Sequence, residues 1–137
     1  MKISLLMVAL LLLPAPIGAQ RPLEVIRITA SEPTKADAYS HELADALRNE
    51  LHKLPDVAFV SAKHADFDIR FSAVPTDRSN HCQGFAVAVL VVERASGLHD
   101  LSVYTGFGLA ELAHYIVETI NREEFAPRRE AMLDGRK

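Results

Sequence analysis

Three side chains that can bind metals occur at every second position of one short stretch. His64, Asp66 and Asp68 would lie on the same side of an extended strand, since side chains alternate between the two faces of a strand. An imidazole and two carboxylates could together bind a divalent metal ion. Arg70 continues the spacing, and its charge favours the alternative of a solvated sheet face. We expect no metal and no cofactor, and retain the three residues as candidate ligands.

The single cysteine, Cys82, offers a second kind of chemistry. It cannot form a disulfide within the chain, so it is a passive thiol, a reactive thiol or one half of a bridge to another chain. His81 lies beside it, but structural zinc sites use four ligands. We expect a passive thiol, with an intermolecular disulfide as the second interpretation.

Motifs of the common enzyme classes are not matched. Gly106 and Gly108 have the spacing of the first two glycines of a dinucleotide-binding turn, but the third position is Glu111, which would repel a phosphate. Neither Ser96 nor Ser102 has the glycine-flanked context of a hydrolase nucleophile. We therefore expect a protein that is not an enzyme.

The strands that must position these residues follow from the hydrophobic pattern. Both alternating sets of side chains are apolar over 84–93, as is typical of a central strand covered on both faces. Alternation predicts a strand with one buried and one wet face over 66–74, and a partner strand over 98–107 after a Ser-Gly turn. A first strand is predicted over 23–30 and a short one over 57–60.

Two amphipathic helices complete the pattern. The first carries an apolar stripe that ends before Pro55, and the second begins near Leu109 and is predicted to end at Pro127. The order predicts an α+β fold: a two-layer sandwich in which a mixed, mostly antiparallel sheet of four or five strands packs against two helices on one face. The first strand, joined through a helix, is expected to lie parallel to its neighbour. The doubly apolar strand means that the second face is partly covered or binds a partner.

The first 19 residues have the three-part pattern of a secretory signal peptide. A positive start, an apolar run over 3–13 and a small-residue end follow one another. The run is shorter than the about 20 residues that span a bilayer. We expect 1–19 to be cleaved, 20–127 to form one domain and 128–137 to be a polar tail. The product is then periplasmic or secreted, without stable membrane insertion.

The charge of the chain bears on its partners. The formal net charge is −3, and the basic pairs lie only near the carboxyl end, at 128–129 and 136–137. Neither nucleic acid nor anionic lipid is therefore expected as a partner, because binding either of them requires a clustered basic patch. We expect the partner to be another envelope or secreted protein.

Several segments together resemble small α/β domains of the bacterial envelope. They are Ala65-Asp66-Phe67-Asp68-Ile69-Arg70, the apolar strand and turn over 89–97, and the closing helix over 112–120. Such domains include the amino-terminal domain of the TolB translocation protein and the core of CsgG- and LpoB-type assembly factors. The sequence lacks the lipobox cysteine of the lipoprotein members, and no propeller follows. The resemblance implies a non-enzymatic module that docks to another envelope protein.

A second function remains open from the residues themselves. The polar face around Asp66 and Asp68 could bind a small ligand or a metal ion in an exported binding protein. A concave polar pocket would favour this alternative, whereas an exposed apolar sheet face would favour the interaction domain.

Overall fold

The computed structural model describes residues 25–33, 37–76 and 84–135. The strands are β1 (Ile26–Ser31), β2 (Val57–Phe59), β3 (Phe67–Pro75), β4 (Phe85–Glu93) and β5 (His99–Gly106). The helices are α1 (Ala38–Leu51), α2 (Leu109–Ile120) and α3 (Ala126–Asp134). A 3-10 turn (Ala62–His64) precedes β3, and a π-helical segment (Asn121–Phe125) joins α2 to α3.

The five strands form one mixed sheet in the order β2-β1-β3-β4-β5. β1 is parallel to β2 and to β3, whereas β3, β4 and β5 are antiparallel. The predicted α+β fold is confirmed, as is the parallel pairing of the first strand. The strand over 84–93 is an interior strand, although β3 rather than β4 is the middle one of the five.

The hydrophobic core lies between one face of the sheet and the apolar stripes of α1 and α2. β3 and β4 each contribute every second residue to it. These buried strand residues are Phe67, Ile69, Phe71, Ala73, Phe85, Val87, Val89 and Val91. Their alternate neighbours therefore lie on the second face, which we call the open face.

Polar side chains fix how α1 meets the sheet. Asp37 caps the helix, because its carboxylate accepts a hydrogen bond from the Ser40 amide at 2.8 Å. Ser40 is itself buried, and its hydroxyl oxygen accepts a bond from the Ala73 amide of β3 at 3.4 Å. The first turn of α1 is thus joined to the strand beneath it.

The prediction that Pro127 ends the second helix is wrong. The chain stays helical through the π segment into α3, where Pro127 occupies the first turn and its missing N–H costs no helical hydrogen bond. Phe125 is fully buried, with its ring centroid 5.3 Å from that of Phe67. Arg129 donates to Asp56 at 2.9 Å. The predicted polar tail is therefore helical as far as Asp134 and is joined to the domain.

Candidate functional site

The candidate metal ligands His64, Asp66 and Asp68 do not share a strand face. β3 begins at Phe67, so Asp66 precedes the strand and His64 ends the 3-10 turn. The prediction failed because strict alternation applies only inside a strand. Within residues 25–33, 37–76 and 84–135, no group of three His, Cys, Asp or Glu side chains is placed to hold a metal ion.

The carboxylate of Asp66 is occupied by Arg27 of β1. It accepts hydrogen bonds from the Arg27 backbone N at 2.9 Å, from Nε at 3.1 Å and from Nη2 at 2.8 Å. Burial pushes the pKa of Asp66 upwards, but these bonds and the charges of Arg27 and Arg128 outweigh it, so the pKa lies below its ordinary value. Asp66 is thus an ionised acceptor that already has its donors.

Asp68 lies on the open face but is not solvated there. It is only 5% exposed, because two arginines cover it. Arg70 donates to one carboxylate oxygen from Nε at 2.9 Å and from Nη2 at 2.7 Å, and Arg94 Nη2 lies 3.8 Å from the same oxygen. The expected wet face is correct for Arg70 and wrong for Asp68.

The open face carries an apolar strip that none of the described elements covers. Val74 of β3 is 54% exposed, and Leu101 and Val103 of β5 are 68% and 67% exposed. The register places Leu101 opposite Leu90 of β4, and Val103 opposite Ala88, so these side chains are contiguous across the strands. Contiguous exposed apolar surface of this kind marks interaction sites.

A shallow groove of about 560 Å³ crosses this face. One wall is the chain segment 31–33 that leaves β1, and the floor is formed by β3, β4 and Leu101 of β5. A carboxylate oxygen of Glu32 in that wall lies 2.8 Å from Nδ1 of His41 on α1. The wall is thus held to the first helix, and the apolar strip extends from the groove to the edge of the sheet.

The orientation of β5 is the feature that the sequence did not reveal. The strand alternates as predicted, but Leu101 and Val103 point to the open face, whereas Asp100, Ser102 and Tyr104 point to the side of the helices. Tyr104 on the inner side packs edge to face against Tyr115 of α2, with ring centroids 5.8 Å apart. Among the described strands β5 pairs only with β4. The pairing register, which fixes this orientation, is not visible in the sequence of β5 alone.

The remaining sequence candidates have separate outcomes. Cys82 and His81 lie outside the described residues, so the passive thiol and the intermolecular disulfide both stay predictions. Gly108 is the cap residue before α2, and a Cβ on Gly106 would lie 3.0 Å from the Leu112 side chain. These glycines serve the strand-to-helix turn.

In the parts of the chain that the structure describes, no helix has both the length and the apolar composition to cross a bilayer.

Comparison with known proteins gives likenesses of fold only. No protein-family model matches the chain, and no curated protein matches it. A leucine-to-methionine variant of the PelC dodecamer from Paraburkholderia phytofirmans is 13% identical over 72% of this chain and 86% of that one, with a TM-score of 0.46. The PelC dodecamer in another crystal form is 14% identical over 72% and 84%, with a TM-score of 0.43. Hypothetical protein CT253 from Chlamydia trachomatis is 12% identical over 59% and 71%, with a TM-score of 0.36.

These structural neighbours are bacterial proteins. The resemblance to TolB-, CsgG- and LpoB-type domains stays a prediction, because none of the three structures carries those names. The function proposed below therefore rests on the contacts and the sequence of this chain.

Proposed function

We propose that this chain is an exported, non-enzymatic protein-interaction domain that binds an extended segment of another envelope or secreted protein. The segment would add to the sheet along β5 and pack on the apolar strip of the open face. The observation that carries the proposal is the outward orientation of Leu101 and Val103 on a strand at the sheet edge. An edge strand whose apolar side chains faced the helices would leave no such strip.

The backbone of β5 suits strand addition. The strand is eight residues long, and 101–106 contains no proline and no charged residue. Natural sheets usually protect an exposed edge with prolines, lysines, bulges or very short strands. A partner strand would pair with the N–H and C=O groups of β5 that face away from β4 and that no described strand engages. Its alternate side chains would extend the apolar strip. The expected ligand is thus an extended peptide segment with apolar residues at every second position.

The other parts of the proposal rest on the sequence. Export rests on the signal-peptide pattern of 1–19, and the envelope setting rests on the resemblance stated above. The absence of a catalytic role rests on the unmatched nucleotide and nucleophile motifs. A ligand- or metal-binding function around Asp66 and Asp68 gains no support from the geometry, since arginines already occupy both carboxylates.

The test is affinity purification of the tagged protein from its source cells under non-reducing conditions, with bound proteins identified by mass spectrometry. The double variant Leu101→Glu/Val103→Glu removes the apolar strip at the edge. Leu133→Glu is the matched control, because Leu133 is also an exposed leucine (60%) but lies on α3. We expect a specific protein that the wild type and Leu133→Glu capture and the double variant loses, while all three keep their thermal unfolding temperature.

Hydrogen exchange then tests the mode of binding. Adding the captured partner should slow exchange of amides within 99–106, because strand addition engages the free edge of β5. Protection confined to the helices, or a partner that the double variant retains, would contradict the proposal. A partner released only by a reducing agent would in addition identify Cys82 as a bridge.

A further inference from the structure

Cationic side chains gather at the end of the sheet from which β3 starts. Lys63 of the 3-10 turn, Arg94 after β4 and Arg128 of α3 line one hollow of about 280 Å³. Arg128 also lines an adjoining hollow of about 380 Å³ with Arg27 of β1. Four separate elements of the fold therefore each bring a cation to this point.

The carboxylates at this point do not balance these charges. Asp66 and Glu93 are the acidic residues that line the two hollows, against four cations. Arg94 also lies 3.8 Å from Asp68, but Arg70 already donates to that carboxylate. Asp66 already accepts three hydrogen bonds from Arg27, and Glu93 accepts one from the Ser96 hydroxyl. The site therefore has an excess of positive charge and few unoccupied acceptors of its own.

Arg128 is the cation whose hydrogen bonds are incomplete. Its Nε is buried and has no hydrogen-bond partner among residues 25–33, 37–76 and 84–135, although its charge acts on Asp66. The next residue, Arg129, instead donates to both carboxylate oxygens of Asp56. A buried N–H usually has an acceptor, which can be a protein group, a water molecule or a bound ion.

We infer that Lys63, Arg94 and Arg128 form a binding site for a phosphate-type oxyanion. A guanidinium group presents its N–H donors in a planar fork that matches the oxygens of a phosphate, and a lysine adds a point charge. A phosphate dianion would offset the excess of cations and accept hydrogen bonds from the guanidinium and ammonium groups that line the hollow. The phosphate could belong to a soluble phosphate ester or to an anionic lipid headgroup. The site uses none of the residues of the apolar strip, and it stands or falls independently of the proposed partner binding.

The first experiment is a titration of the isotope-labelled protein with inorganic phosphate, followed by NMR at constant ionic strength against chloride. We expect saturable shifts in the amides of 62–64 and 94–97 and in the Arg128 Nε–H signal. Arg128→Gln should weaken the apparent affinity at least about tenfold, which corresponds to about 1.4 kcal/mol, since it removes a charged donor. The matched control is Arg122→Gln, because Arg122 is an exposed arginine paired with Glu123 and should leave the affinity unchanged.

Arg128→Lys keeps the charge and loses the planar fork, and it serves as the test if Arg128→Gln does not fold. We expect an affinity between those of the wild type and Arg128→Gln, with the native spectrum preserved.

Vesicles distinguish the two sources of phosphate. The ligand is a lipid headgroup if the protein sediments with phosphatidylglycerol vesicles but not with phosphatidylcholine vesicles, and if Arg128→Gln abolishes this sedimentation. Saturable phosphate shifts without vesicle binding would identify a soluble ligand. The site is refuted if phosphate gives no saturable shift and vesicles show no binding that depends on Arg128, or if Arg128→Gln binds as tightly as the wild type.

Discussion

β3 and β5 have the same alternating pattern, but they present it to opposite faces of the sheet. β3 directs Phe67, Ile69 and Phe71 into the core and its polar residues outwards. β5 directs Leu101 and Val103 outwards and its polar residues towards the helices. The difference teaches that periodicity identifies a strand, whereas the register with its neighbour decides which set is buried.

The register of β4 and β5 shows how this happens. Ser102 lies opposite Val89, and Tyr104 lies opposite Val87, so the polar side of β5 adjoins the buried side of β4. Helical residues cover this side of β5, where Tyr104 packs on Tyr115 of α2. β5 is thus a strand whose pairing satisfies its backbone on one edge and whose apolar side chains remain exposed.

Substitutions on β4 give the largest expected effect. Val89→Asp should destabilise the fold by more than about 4 kcal/mol and unfold it, because Val89 is 1% exposed and its replacement would bury an unpaired charge. Ala88→Asp places the same charge on the open face, where Ala88 is exposed, and should leave a folded protein. Circular dichroism and size-exclusion chromatography distinguish the two. If both variants fold, the assignment of the buried face is wrong.

The contrast between β3 and β5 predicts unequal costs for similar truncations. Ile69→Ala should lower the free energy of unfolding by about 2–5 kcal/mol, because it leaves a cavity in the core. Leu101→Ala should change it by less than about 0.5 kcal/mol, since most of that side chain is already in water. Urea denaturation measures both. A comparable loss at Leu101 would show that something covers the open face.

The sequence predicted the helices and strands better than it predicted which of their side chains are buried and which residues they contact. The first two helices, the strands and the parallel first strand follow from periodicity and connection, which are local properties, whereas α3 was expected to be a polar tail. The face that β5 presents depends on pairing with β4, and the burial of Asp68 depends on Arg94, 26 positions away along the chain. A proline breaks a helix when it lies in the interior of that helix. Because the π segment separates α2 from α3, Pro127 lies in the first turn of α3, where a proline is tolerated. The cation cluster was missed because its members come from four elements.

The carboxylates of β3 and β5 differ in their surroundings as well. Asp66 and Asp68, at the start of β3, have arginine partners. Asp66→Asn should cost about 1 kcal/mol at pH 7, since it weakens three converging hydrogen bonds from Arg27. The folded pKa of Asp66 lies below its unfolded value of about 3.9, so this stability is present above that pH and is lost as the pH falls through the folded pKa. Urea denaturation at pH 7 and at lower pH measures the free energy of unfolding of the wild type and of Asp66→Asn, and the difference between the two should become smaller as the pH falls. Asp45→Asn is the control, because Asp45 is exposed and has only a 3.5 Å contact with Arg48.

The inner side of β5 instead meets carboxylates of like charge, and this predicts the smallest effect. Burial raises the pKa of Glu124, and the charges of Asp100, Glu123 and Glu93 raise it further. A raised carboxyl pKa means that the folded state binds the proton more tightly, so the penalty is complete above the folded pKa and vanishes below the unfolded value of about 4.3. Glu124→Gln should therefore stabilise the protein by up to about 0.5 kcal/mol at pH 7 and have no effect near pH 3. Thermal unfolding at both pH values, with the exposed Glu130→Gln as control, measures this. If Glu124→Gln still stabilised the protein at low pH, the effect would come from packing and not from charge. The like-charged carboxylates that the orientation of β5 brings together would then have no effect on stability.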